Sequence, residues 1–145
     1  MDPIHLLNDE IDYELEIRKL PVALNRRTNT KTLREALANE NGPLLTTLSS
    51  KITAEELSII NTKLSELEQS GRPHNLRDRE LCQSRICHLE NRIRRLNIND
   101  NQDHYSYRNL LLSRIKQFSE RLIAQSTNQD IQNPRSWDEL SNDRL

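Results

Sequence analysis

The hydrophobic positions of this chain fall into stripes at helical spacing. The clearest lies within residues 76–96, where Cys82, Ile86, Leu89, Ile93 and Leu96 recur at intervals of 4, 3, 4 and 3. Such a heptad seam gathers its side chains on one face of a helix. Leu57, Ile60, Leu64 and Leu67 form a similar stripe before it, and Tyr107, Leu111, Ile115, Phe118 and Leu122 form one after it. The spacing predicts a helix over 53–70, opened by a Thr53/Glu56 capping box with an Ile52/Leu57 hydrophobic staple and stopped by Gly71 and Pro73. The middle helix ends at the turn-forming run NINDNQD, and the third covers about 103–125. Short connections make sequential neighbours antiparallel, so the three form an up-down-up bundle.

Two shorter helices are expected ahead of the bundle. One covers 8–19, with Leu7, Ile11 and Leu15 on one face, Asn8 or Asp9 as cap and Pro21 as the stop. The other covers 30–39, with Leu33, Ala36 and Leu37 inward and Thr30 or Thr32 as cap, and Asn41-Gly42-Pro43 closes it. Residues 43–52 are ambiguous, with Leu44, Leu45 and Leu48 able to form one helical turn against the first unit. From Ser126 the chain is polar and aperiodic, which predicts a mostly disordered tail in which the lone Trp137 is either incidental, the preferred reading, or a docking anchor. The expected fold is all-α: a two-helix unit over 1–42, an antiparallel three-helix bundle over 43–126 and a disordered tail over 127–145.

Composition supports this reading. The chain is 34% hydrophobic, 3% aromatic and 30% charged, which suits a thin helical core with long solvated faces. Two glycines are too few for the tight turns of a β-rich fold. No apolar run reaches the roughly 18 residues of a membrane span, and the N-terminus lacks the basic start and apolar core of a secretory signal. Cys82 and Cys87 lie five apart and cannot face each other on a helix, so no disulfide is expected between them. A reducing, intracellular setting (cytoplasm or nucleus) follows as the expectation.

The net charge of −1 hides an uneven distribution. Residues 71–98 carry seven arginines against three acids, whereas the first fifty residues balance to −2. On the middle helix Arg85, Arg92 and Arg95 share a face about a third of a turn from the seam. This stripe could track phosphates, pair with Glu55, Glu66 and Glu68 on the neighbouring helix, or meet another subunit. The acids Asp9, Glu10, Asp12, Glu14 and Glu16 read as a solvated face of the first helix. Cys82, Cys87 and His88 do not converge as a structural metal site must. The chain shows no glycine-rich phosphate loop and no Ser, His and Asp set at a known spacing. A non-enzymatic protein is expected, with no metal, no cofactor and no small-molecule substrate.

Two resemblances add to this reading. Glu14, Leu15 and Arg18 before a polar loop, then Lys31, Leu33 and Leu37 after it, resemble the SAP motif, a helix–loop–helix unit associated with DNA binding. Lys19 stands where that family usually has glycine. On a larger scale, the N-terminal segment followed by the run from Ser84 to Leu96, SRICHLENRIRRL, looks like the N-terminal region of Gag polyproteins of insect gypsy-like LTR retrotransposons. That resemblance implies an assembly module, acting by helix-mediated self-association or scaffolding with itself or another protein as partner. The alternative is a nucleic-acid-binding module. For either, Arg85, Arg92, Arg95, Arg18 and Lys31 are the candidate contacts.

Overall fold

A 3-10 turn at Pro3–His5 leads into five α-helices in the computed structural model, which describes residues 1–45, 48–70, 73–98 and 101–132, with side chains placed to residue 124. The helices are α1 (Asn8–Ile17), α2 (Arg26–Ala38), α3 (Thr53–Gln69), α4 (Leu76–Arg94) and α5 (Gln102–Gln132). The architecture is all-α, an N-terminal two-helix unit followed by three long helices. No helix among the described residues is long and apolar enough to cross a membrane.

The predicted seams form the core of the three-helix bundle. Leu57, Ile60, Leu64 and Leu67 of α3 meet Cys82, Ile86, Leu89, Ile93 and Leu96 of α4 and its C-terminal end, and Leu111, Ile115, Phe118 and Leu122 of α5; Tyr107 is half-buried against them. The helices alternate in direction. Arg92 of α4 meets Glu56 near the start of α3, whereas Arg114 of α5 meets Asn61, Ser65 and Glu68 in parallel register with α3.

A second apolar cluster lies wholly in the N-terminal unit: Leu6, Ile11, Leu15 and Leu33, with Met1, Leu20 and Leu37 at its edge. Leu7, expected inward, is exposed, and Leu6 takes its place because Leu7 occupies the cap position just before α1. Asn8 is therefore the first helical residue, and its side chain accepts from Arg26 Nη1 at 2.7 Å. The α1 cap is closed instead by Glu10, which accepts from the Leu7 N–H at 2.8 Å. Helix α2 starts at Arg26, four residues before its expected start, because Asn25 caps it by accepting from the Thr28 N–H at 2.8 Å. The buried Asn29 then ties down the preceding loop with two hydrogen bonds to the Ala23 backbone.

The other end of α1 is a Schellman turn. Leu20 N–H reaches back to Leu15 O at 2.9 Å and Lys19 N–H to Glu16 O at 3.0 Å, with Lys19 left-handed at φ 58°. This is the position where the SAP pattern carries glycine.

The expected capping box of α3 does not form. Thr53 is the first helical residue and donates to Asn97 O at 2.8 Å, while Glu56 turns to Arg92. Ile52 is exposed, so it does not staple to Leu57. Residues 43–45 and 48–50 form no helical turn; this segment crosses the C-terminal end of α4, where Ser49 N–H bonds Arg95 O at 2.8 Å. Helix α5 runs to Gln132, past the expected end near Gln125. The apolar stripe stops at Leu122, but no glycine or proline follows until Pro134, so nothing breaks the backbone there. The rest of the predicted tail, with Trp137, lies outside the described residues.

A left-handed lysine costs about 1 kcal/mol relative to glycine. Lys19→Gly is therefore expected to raise the denaturant midpoint by a corresponding amount without changing the slope. A lower midpoint would show that the Lys19 side chain contributes more than its backbone strain removes.

Candidate functional site

The two apolar clusters are held against each other by charge. Between them lies a layer built from one face of α1, one face of α4 and the adjoining edge of α3. Its anions are Glu10, Glu14 and Glu56, each with a relative exposure of 0%. Its cations are Arg85, Arg92 and Arg95, all buried, with Lys63 beside them. Glu10 and Glu14 are one helical turn apart and so point the same way off α1. Arg85, His88, Arg92 and Arg95 recur at intervals of 3, 4 and 3 on the opposing face of α4.

The pairing is specific. The Arg85 guanidinium grips the Glu10 carboxylate, with Nε–Oε1 and Nη2–Oε2 both at 3.1 Å. Lys63 Nζ also reaches Glu10 at 3.4 Å, and reaches Asp9 at 2.6 Å. Arg92 binds Glu56 through two parallel bonds of 2.9 and 2.8 Å. Glu14 is the hub. It takes His88 Nδ1 at 2.6 Å on one oxygen, and Arg95 Nη1 at 3.1 Å and Arg18 Nη1 at 2.6 Å on the other. A carboxylate can only accept, so His88 Nδ1 carries a proton. Tyr13 fills the space between these chains, with Arg92 stacked 4.2 Å above its ring and His88 edge-on at 5.6 Å. Asp2 N–H to Ser84 Oγ at 3.0 Å extends the contact to the N-terminal turn.

The electrostatics follow from the geometry. Burial by itself pushes the Glu14 carboxyl up, but the His88 hydrogen bond and the His88 and Arg95 charges override it and hold the group at about 2. Glu10 is moved the same way: burial is the largest single influence and opposes ionisation, but the Arg85 hydrogen bond, the His88 and Arg85 charges and the Leu7 N–H together outweigh it. Burial pushes the Tyr13 hydroxyl up against the pull of the Arg95 charge. Tyr13 Oη, His88 Nε2 and Arg95 Nη2 are buried without a hydrogen-bond partner, so the layer is not fully satisfied.

These contacts correct three expectations. The acidic run on α1 is not one solvated face; Asp9 and Glu16 are exposed, but Glu10 and Glu14 turn inward. The arginine stripe is not a surface open to phosphates, because Arg85, Arg92 and Arg95 are buried and paired. Nor does the stripe use Glu55, Glu66 or Glu68; its partners are Glu10, Glu56 and Glu14, while Glu68 pairs with Arg114 at 2.5 Å. Arg18 lies against Glu14 and Glu40, with 5% of its side chain exposed. Of the five candidate contacts, Lys31 alone is exposed.

Tyr13, Glu56 and Lys63 were not singled out as site residues by sequence. The legible signal was periodicity: a charged face that repeats as regularly as the apolar seam beside it has a partner to match. Cys82 sits in the bundle core and Cys87 is half-buried, while His88 faces Glu14. Among the described residues no three His, Cys, Asp or Glu side chains gather to hold a metal ion.

Comparison with protein-family models, with curated proteins and with solved structures finds no match to this chain.

The layer makes stability depend on pH with a defined sign. Glu14 titrates near 4.5 when unfolded and near 2 when folded, so its contribution is complete above about pH 5 and is lost as pH falls towards 2. The loss amounts to roughly 3 kcal/mol. Glu14→Gln is expected to be less stable at neutral pH yet to show a shallower fall in stability between pH 5 and 2. Equal acid slopes in the two proteins would remove Glu14 from this role.

Proposed function

We propose that this protein is a non-enzymatic assembly or interaction module that works by helix-mediated self-association or scaffolding, as the Gag N-terminal region it resembles would. The observation that supports this reading best is the matched-charge contact of α1 on α4, in which the glutamates at 10 and 14 read the arginines at 85 and 95, with His88 Nδ1 donating to Glu14. Buried ion pairs of this kind add little net stability over apolar contacts, but a mismatched partner leaves a buried charge unpaired, at about 3–5 kcal/mol. Such a surface suits selection of one helix over another. Large apolar side chains on the outside add contact area, among them Leu76 of α4 and Leu110 and Ile123 of α5. The setting we propose is intracellular, in keeping with the two free thiols.

The nucleic-acid reading has a weaker footing. For a phosphate backbone to reach Arg85, Arg92 and Arg95, the N-terminal unit would first have to leave α4. Replacing these arginines by Gln would also strand buried glutamates, so loss of binding in such a variant would not separate contact from folding.

Light scattering after size exclusion over a hundredfold concentration range tests the proposal. The expected result is a dimer or larger species that dissociates on dilution, with helicity unchanged. A mass of 17 kDa at every concentration, with no second protein retained, would overturn it.

A further inference from the structure

The N-terminal unit is attached to the bundle in a way that permits exchange. Each part has its own apolar cluster. The surfaces that would part carry Glu10 and Glu14 on one side and Arg85, His88 and Arg95 on the other, so separation exposes charged groups that water solvates rather than a bare core. One covalent connection joins the two parts, and it is fastened on both sides. Glu40 is held by Arg18, the residue that follows α1. Leu44 O accepts from Arg95 Nε at 2.6 Å, and Ser49 N–H bonds Arg95 O. Asn41-Gly42-Pro43 is the span between these fastenings, about 10 Å when extended. Its fold-back rests on Gly42, whose φ of +100° other residues rarely adopt, although an added Cβ would meet nothing within 4 Å.

We propose that the N-terminal unit exchanges between two copies of this chain, laying its Glu10/Glu14 face on the Arg85–Arg95 face of a second copy's α4. The second copy is the occupant argued for because this chain's own α1 face matches that surface residue for residue. Every ion pair of the closed form is rebuilt in the exchanged dimer, and the positive φ at Gly42 is no longer imposed. In the closed form the tethered unit competes at a local concentration in the millimolar range, and glycine takes the hinge φ freely, so a side chain at position 42 shifts the balance towards dimer. The inference rests on the self-association reading and specifies how it occurs.

The test uses the wild-type chain and Gly42→Val, a substitution that raises the strain of fold-back without touching either cluster. Equal amounts of protein at natural isotope abundance and nitrogen-15-labelled protein are mixed, incubated at high concentration and treated with a zero-length carboxylate–amine cross-linker. Asp9 and Lys63, 2.6 Å apart, are the reporting pair. Gly42→Val is expected to raise the association constant by roughly tenfold or more, from two hinges relieved per dimer. In the dimer fraction about half of the Asp9–Lys63 cross-links should join the two isotopes, as random pairing requires. A dimer fraction with same-isotope cross-links only would overturn exchange and leave self-association through another face standing. Wild-type and Gly42→Val chains that both stay monomeric at every concentration would overturn the two together.

Discussion

A carboxylate wholly removed from water must find its partners inside the protein, and Glu14 finds three: the Arg95 and Arg18 guanidinium groups and the His88 Nδ1–H. Much of the architecture follows from that requirement. Helix α1 must present Glu14 to α4, which also brings Glu10 to Arg85 one turn away. Arg95 must lie at the C-terminal end of α4, where its guanidinium also holds Leu44 O and its carbonyl holds Ser49 N–H. The path of the connection between the two parts is thus fixed by the residue that neutralises the hub. Tyr13 completes the layer by giving Arg92 an aromatic face to lie on.

The bundle was legible in the sequence because its signal is redundant. Each seam offers four or five apolar positions at intervals of three and four, and all but the half-buried Tyr107 among them are buried in the core. Local boundary signals were less dependable. Thr53 and Glu56 have the spacing of a capping box, yet Glu56 is worth more as the bidentate partner of Arg92 than as a cap, and Thr53 is drawn to Asn97 O. Asn25 carries no such mark, because the turn that follows it, RRTNT, is wholly polar and the inward leucine Leu33 comes only two turns later. The expected end of α5 near Gln125 rests on the end of the apolar stripe at Leu122, and an apolar stripe marks where a helix packs and not where its backbone stops.

The site was partly legible. Arg85, Arg92 and Arg95 stood out by their spacing, and pairing between neighbouring helices was among the uses that spacing allowed. Which acids complete them could not be read from periodicity alone. The partners lie 75, 36 and 81 residues away in the chain; the packing of α3 on α4 brings Glu56 to Arg92, and the docking of α1 on α4 brings Glu10 and Glu14 to Arg85 and Arg95. The acidic run on α1 misled because charge runs on short helices are ordinarily solvated; here the turn-apart pair Glu10 and Glu14 sits beside Ile11 and Leu15, which already face inward. An ionic layer between two apolar clusters favours one partner strongly over another while contributing modestly to overall stability, a balance suited to recognition.

The central claim is that the N-terminal unit and the bundle are separately cored bodies joined by this layer. Native-state hydrogen exchange in increasing denaturant at neutral pH tests it most directly. The account predicts that the amides of α1 and α2 exchange through a shared opening of lower free energy that leaves the cores of α3, α4 and α5 protected. One opening common to all five helices, equal in free energy to global unfolding, would contradict it.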